Sequence, residues 1–478
     1  RVLTVEDIKN WTNFNRLSAF LTATCEFTRI DDPERTSAGE FVFLNSKGSG
    51  VALFTTSRLA FSGSNFSLCR SFNKFLFEPL NGSMPALGDI CRLTKNDYRD
   101  PHVKNFLLVG DPAMKLAYPR WNVVTTSINN NVISATADTI KALTRVTISG
   151  EIRDDNGQLM TGFNGVLIPS IYDKEATYFT LGNDPGNPII PFKVRKNVLF
   201  KGKATVTNGT FSFSFIMPKD ISFQYGIGKI SYYAFDGVTD AKGFYKNVIV
   251  GGVGSDTTVS DDKRGPEIKL YMNDDKFVSG GMTNVNPNVY ALISDESGIN
   301  TAGNGIGHDI TITIDGDKLY TANDFFEADL DSYQKGKINF PLSGLSDGKH
   351  TLKLKVWDIF NNSSETTIEF YVVSSKEITL NHVYNYPNPF TTHTKFMFEH
   401  NRACVPMSVQ IQVFTVTGKL VKTISKYLVC DGFRFDNLDW DGRDDYGDKI
   451  GRGIYIYRLR VQTSDGATAD KIEKLVIL

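Results

Sequence analysis

No run of about 18 apolar residues occurs anywhere in the chain, which excludes a membrane-spanning helix. Neither sign of charge is in excess: 52 Lys and Arg stand against 53 Asp and Glu, a net charge of −1. Without a basic surplus the chain lacks the electrostatic footprint of a nucleic-acid binder. No Cys or His residues fall at zinc-ligand spacing. No segment repeats closely, which excludes a solenoid array. Cysteine is scarce, with five residues: Cys25, Cys69, Cys91, Cys404 and Cys430. The odd count leaves at least one thiol unpaired within the chain. Cys404 with Cys430 is one possible disulfide and Cys69 with Cys91 a weaker one; spacing decides neither. A signal peptide is also absent at Arg1-Val2-Leu3-Thr4. Thr4 and Asp7 make a near capping box there, so a helix is expected at once and the chain is read as a fragment starting inside a domain.

What is present is mostly β. Forty Gly, 34 Phe and 19 Tyr accompany many short alternating runs. Length alone suggests three or four domains. Residues 1–120 differ from the rest. Helical stretches such as Glu6–Phe14 and Leu68–Leu80 mix with three apolar strands, Ala19–Thr24, Gly50–Thr56 and Asn105–Gly110. Strands apolar throughout, with helices between, predict a parallel sheet covered on both faces. Residues 121–252 read as an Ig-like sandwich. Val146–Ile152 alternates into the turn Asp155-Asn156-Gly157, and Asn208-Gly209 turns into Thr210–Phe215 with three Phe on one face. Residues 253–375 open on a polar linker and give a second such sandwich, including His350–Asp358. Residues 376–478 form a third, with period-two strands at Ser408–Thr415, Lys419–Ser425 and Gly453–Gln462. Trp440 and Phe390 are expected in its core.

Cys25 is the candidate catalytic residue. It follows a buried strand, where open α/β sheets place their sites. A structural buried cysteine is the competing reading. A thiol alone is only a few per cent ionised near neutrality, so it needs a histidine to lower its pKa and later protonate the leaving amine. Residues 1–120 offer one, His102, which is read as a surface histidine. The base is expected upstream of Arg1, which leaves this chain inactive by itself. Aspartate-rich turns at Asp154–Gly157, Asp261-Asp262 and Asp436–Asp448 lack EF-hand spacing; turn chemistry explains them, with structural calcium as the alternative. The glycine-rich stretch 299–308 does not lead from a strand into a helix, so it is no nucleotide loop. No cofactor is expected.

Two stretches carry a family resemblance. The first joins Phe20-Leu21-Thr22-Ala23-Thr24-Cys25-Glu26-Phe27, Ala38-Gly39-Glu40, Gly50–Arg58 and Leu107–Met114. It resembles the C-terminal half of a gingipain-family cysteine peptidase. The resemblance implies a caspase-like α/β fold with Cys25 as nucleophile and a histidine earlier in the chain. The second joins Tyr386-Pro387-Asn388-Pro389-Phe390, Val413–Lys419, Trp440-Asp441-Gly442-Arg443 and Gly453–Leu459. It resembles the C-terminal sorting domain of type IX secretion cargo. Together they imply a sortase: a cysteine endopeptidase and transpeptidase on the extracellular face of the outer membrane of a Gram-negative bacterium. Its implied partners are a PorV-like outer-membrane β-barrel, the C-terminal domains of cargo, anionic lipopolysaccharide and other attachment-complex components. A secreted gingipain-like protease and a non-enzymatic adhesin of sandwich modules are the competing readings.

Overall fold

A computed structural model describes residues 3–134, 138–183, 186–254, 262–302, 307–374, 377–429 and 432–478. The chain divides into two compact units, 1–119 and 120–478.

The first unit is a three-stranded sheet in the order β1 (Ser18–Leu21), β2 (Gly50–Thr56), β3 (Phe106–Val109). Around it lie α1 (Val5–Lys9), α2 (Ala38–Leu44), α3 (Ser62–Leu76) and α4 (Leu87–Asp97). The expected capping box is present at α1, where Thr4 and Asp7 exchange hydrogen bonds. Strand β2 is central and almost wholly buried, so its residues alternate between two cores. Ala52 and Phe54 pack with Leu68, Phe72, Leu87 and Ile90 of α3 and α4. Leu53 packs on the other side with Ile8 of α1 and Val42 of α2. Both faces are therefore covered, as the apolar strands predicted.

The sheet is not wholly parallel. β1 and β2 run parallel, but β2 and β3 are antiparallel. The connections explain this. One helix, α2, separates β1 from β2, so the chain returns and re-enters in the same direction. Two helices, α3 and α4, separate β2 from β3, and the second crossing reverses the strand. The sequence expectation missed α4 as a separate helix.

In the second unit, three pairs of sheets each enclose their own core. In the first, a nine-stranded sheet closes on itself where Gly165–Tyr172 pairs with Lys229–Phe235, a three-stranded sheet shares its core, and Ala176–Phe179 pairs with Pro191–Val194 in a separate two-stranded sheet. Asn208 and Gly209 turn with φ of 51° and 75°, the left-handed region that this turn needs. Phe211, Phe213 and Phe215 stack along one buried face, as expected. The second pair has four and five strands, with Gly348–Trp357 and Ser363–Val372 as its longest hairpin. The third has three and four strands. Trp440 and Phe390 do meet in its core, ring centroids 5.7 Å apart.

Candidate functional site

Cys25 lies in the loop four residues past Leu21, the C-terminal residue of β1, and that loop folds over the end of β2. A set of threonines makes that fold-over. Thr22 donates its hydroxyl to Thr55 Oγ1 at 2.7 Å, and Thr28 shares a hydrogen bond with the same oxygen at 2.8 Å. Thr56 donates its hydroxyl to the Thr24 carbonyl. The N–H of Thr28 reaches the Thr56 carbonyl at 2.9 Å. The loop is thus pinned on both sides of the cysteine. Glu26, immediately after it, holds φ at 51°, which costs a non-glycine residue energy and turns the chain sharply at the thiol. Gly39 on α2 closes the back of the loop. Its N–H donates to the Phe27 carbonyl at 2.8 Å, and a Cβ there would lie 1.8 Å from Thr28 Oγ1.

The thiol is exposed and free. Its Sγ–H donates to the Ala60 carbonyl at 3.1 Å, and the Ala60 N–H approaches Sγ at 3.4 Å. Residues 57–61, which follow β2, therefore form the wall beside it. Arg58 clamps this wall to the other loop by a two-pronged pair with Asp31, one prong 2.7 Å long. Arg58 holds the Asp31 carboxyl down at about 2. Arg29 pairs with Glu26 and Asp32, and Arg35 with Asp32.

Cys69 and Cys91 are also free, but both are half-buried on helices and burial pushes their thiols up. Neither is suited to act as a nucleophile. Cys404 is disulfide-bonded. Cys430, its proposed mate, lies outside the described residues.

His102 lies in a short 3-10 turn, Pro101–Asn105, that leads into β3. Because β3 is antiparallel to β2, this turn falls at the same end of the sheet as Cys25. The imidazole is half-buried and packs edge-on against Phe61, centroids 4.7 Å apart. The hydrogen-bond partners of Cys25 Sγ are the Ala60 main-chain groups, not this ring. Sequence reasoning missed Arg58, Ala60 and Phe61, because only the sheet order brings residues 57–61 against the 25–31 loop.

The aspartate-rich turns at 154–157 and 444–448 are closed by their own backbone. Asp154 and Asp444 each accept N–H bonds from residues two and four further on. Asp261 and residues 303–306 lie outside the described residues. Among the described residues, Asp262 of the predicted Asp261-Asp262 turn gathers with Asp295 and Asp358, and their oxygens all lie within 4.8 Å of one another. Such oxygens could hold a hard cation. Burial and the neighbouring carboxylates push Asp295 up to about 6.

Residues 1–117 match the model of Peptidase family C25. Among solved structures, the chain is similar to dimeric latent PorU from Porphyromonas gingivalis, at 30% identity over 84% of this chain, with a TM-score of 0.36. It spans only 39% of that PorU chain. It is also similar to RgpB pro- and mature domains from the same organism, at 16% identity over 50% of this chain and 49% of that one, TM-score 0.22. The fibronectin(III)-like modules of Clostridium thermocellum CbhA match at 12% identity over 44% of this chain and 94% of theirs, TM-score 0.18. No curated protein matches. The segment 1–117, which carries the exposed Cys25, is thus similar to peptidase family C25, the gingipain family of cysteine peptidases.

Proposed function

We propose that the protein containing this chain is a cell-surface cysteine endopeptidase with sortase-like transpeptidase activity, similar to PorU. The observation that carries the reading is Cys25, exposed at the end of β1 inside the peptidase-family segment. Its thiolate attacks the scissile carbonyl. The C–N bond breaks, the amine leaves with a proton, and a thioester remains on Sγ. Water or a sugar-linked amine then attacks the thioester and restores the thiol. Transfer to the amine requires that water be limited at the site. The base is an imidazole other than His102, whose ring is engaged with Phe61.

The substrates proposed are cargo proteins with type IX C-terminal domains, and the acceptor is anionic lipopolysaccharide. A PorV-like barrel would hold the protein on the extracellular face of the outer membrane, beside the other attachment-complex components. The sandwiches of the second unit serve as Ig-like spacers, and the last one as the docking domain. The proposed chemistry draws on no cofactor. The test is Cys25→Ala in the full-length protein, with Cys69→Ala and Cys91→Ala as controls. Cargo processing should stop in the first and continue in the other two. A Cys25→Ala strain that trims cargo normally overturns the reading.

A further inference from the structure

Along residues 59–61 the side chains alternate out, in, out. Ala60 is 7% exposed, while Leu59 is 67% and Phe61 71% exposed. The thiol of Cys25 is hydrogen-bonded to the backbone of the middle residue. Two large apolar side chains therefore stand in solvent on the residues that flank the one holding the sulfur. A single exposed apolar residue is ordinary, but two that flank the residue bonded to a reactive thiol offer apolar surface beside it. The wall that carries them is rigid. Ser57 N–H donates to the Asn105 carbonyl at 2.8 Å, Asn105 Nδ2 donates to the Leu59 carbonyl at 2.7 Å, and Arg58 is clamped to Asp31. The His102 ring backs Phe61 edge-on.

Charge at the site is spent internally. Arg29, Arg35 and Arg58 each pair with Glu26, Asp31 or Asp32. Glu34 is the charged residue of the 25–35 loop outside these pairs, and it is exposed, nine positions beyond the thiol. On this loop a basic or acidic substrate side chain would meet charges that are already paired near the thiol, whereas an apolar one would meet the exposed Leu59 and Phe61.

We propose that Leu59 and Phe61 are specificity-determining residues, and that the site takes peptides with an aromatic or large aliphatic side chain next to the scissile bond. His102 is a positioning residue that sets the Phe61 ring. The inference rests on Cys25 being the nucleophile.

Three peptidyl chloromethyl ketones, identical except for Phe, Lys or Glu at the terminal position, test it on the full-length protein. In each reaction a C–S bond forms at Cys25, chloride leaves, and the thiol proton passes to buffer. Rates at Cys25 are read by mass spectrometry and divided by the iodoacetamide rate at the same thiol. The Phe probe should exceed the other two by about tenfold or more. Phe61→Ala and Leu59→Asp should erase that preference. His102→Ala should weaken it, and His102→Phe, which keeps a ring against Phe61, should restore it. Equal normalised rates for the three probes, or a faster Lys probe, overturn the proposal while leaving the nucleophile intact. Labelling of Cys25 no faster than of Cys69 and Cys91 overturns both.

Discussion

A thiol exposed at a strand end is useful only if the loop that holds it keeps one shape. Here that shape depends on a residue with no side chain. Thr28 is buried and bonded to Thr55, so it cannot move away from α2. Gly39 faces it across a gap that a methyl group would overfill, at 1.8 Å from Thr28 Oγ1 and 2.7 Å from its Cβ. Gly39→Ala sets two effects against each other. Alanine is better than glycine in a helix by about 1 kcal/mol. Overpacking against a pinned neighbour costs about 1–3 kcal/mol. The clash should win, because Thr28 carries the loop on its own hydrogen bonds. The expected outcome is a lower melting temperature of the first unit and slower cargo processing. A melting temperature equal to or above wild type would mean that the loop yields freely. That Cys25 follows an apolar strand was legible in the sequence, since this is a local pattern, but β1 is an exposed to half-buried edge strand rather than the buried one expected. The Arg58–Asp31 clamp and the Leu59–Phe61 wall were not. They depend on which strand lies beside β1, and that is a property of the folded sheet.

Strand direction was the limit of legibility at the next scale. The apolar run at β3 gave its place correctly but not its sense, because direction follows from whether one helix or two precede it. Strand alternation in the second unit was easier to read, since period-two patterns such as Gly348–Trp357 bury every second residue. Of the carboxylate group of Asp262, Asp295 and Asp358, the sequence pointed to Asp262 alone, because the other two come from distant turns. It has a measurable consequence. Asp295 titrates near 6 in the folded chain and near 3.8 in a model peptide, so the folded state holds the extra proton between those values. Stability falls as pH rises through that window and stays lowered above it. Asp295→Asn removes the charge and keeps the Oδ1 that accepts the Ser297 and Gly298 N–H groups at 2.8 and 3.0 Å. At pH 7, in chelator, the variant should be more stable than wild type by on the order of 1 kcal/mol. The gain should vanish toward pH 4. Urea unfolding at both pH values measures it, and a gain independent of pH would point to packing rather than charge.

Across the whole molecule, the three sheet pairs of the second unit keep separate cores, and polar contacts join them. Between the first and second pairs, Lys203 meets Glu327, and Thr205 N–H donates to Asp331 at 2.7 Å. Between the second and third, Arg434 reaches the Lys276 carbonyl at 3.4 Å and Asn381 reaches Met282 Sδ at 3.4 Å. Joints of this kind cost little to expose; Tyr333 of the second pair packs against the first core, but the core of the last pair is built from its own residues. The last pair, centred on Phe390, Phe396, Trp440 and Tyr457, should therefore be removable without unfolding the others. No helix among the described residues is long and apolar enough to cross a membrane. On the proposed reading, the edges of the last pair offer strands to a protein partner. Deleting residues 380–478 from the full-length protein should leave circular dichroism and melting of the remaining sheets intact. It should also release the protein from the cell surface or block its export. Fractionation of cells, followed by blotting for a tag on the retained part, reads the outcome. A truncated protein that stays with the outer membrane and processes cargo at the normal rate would place the anchor elsewhere in the chain.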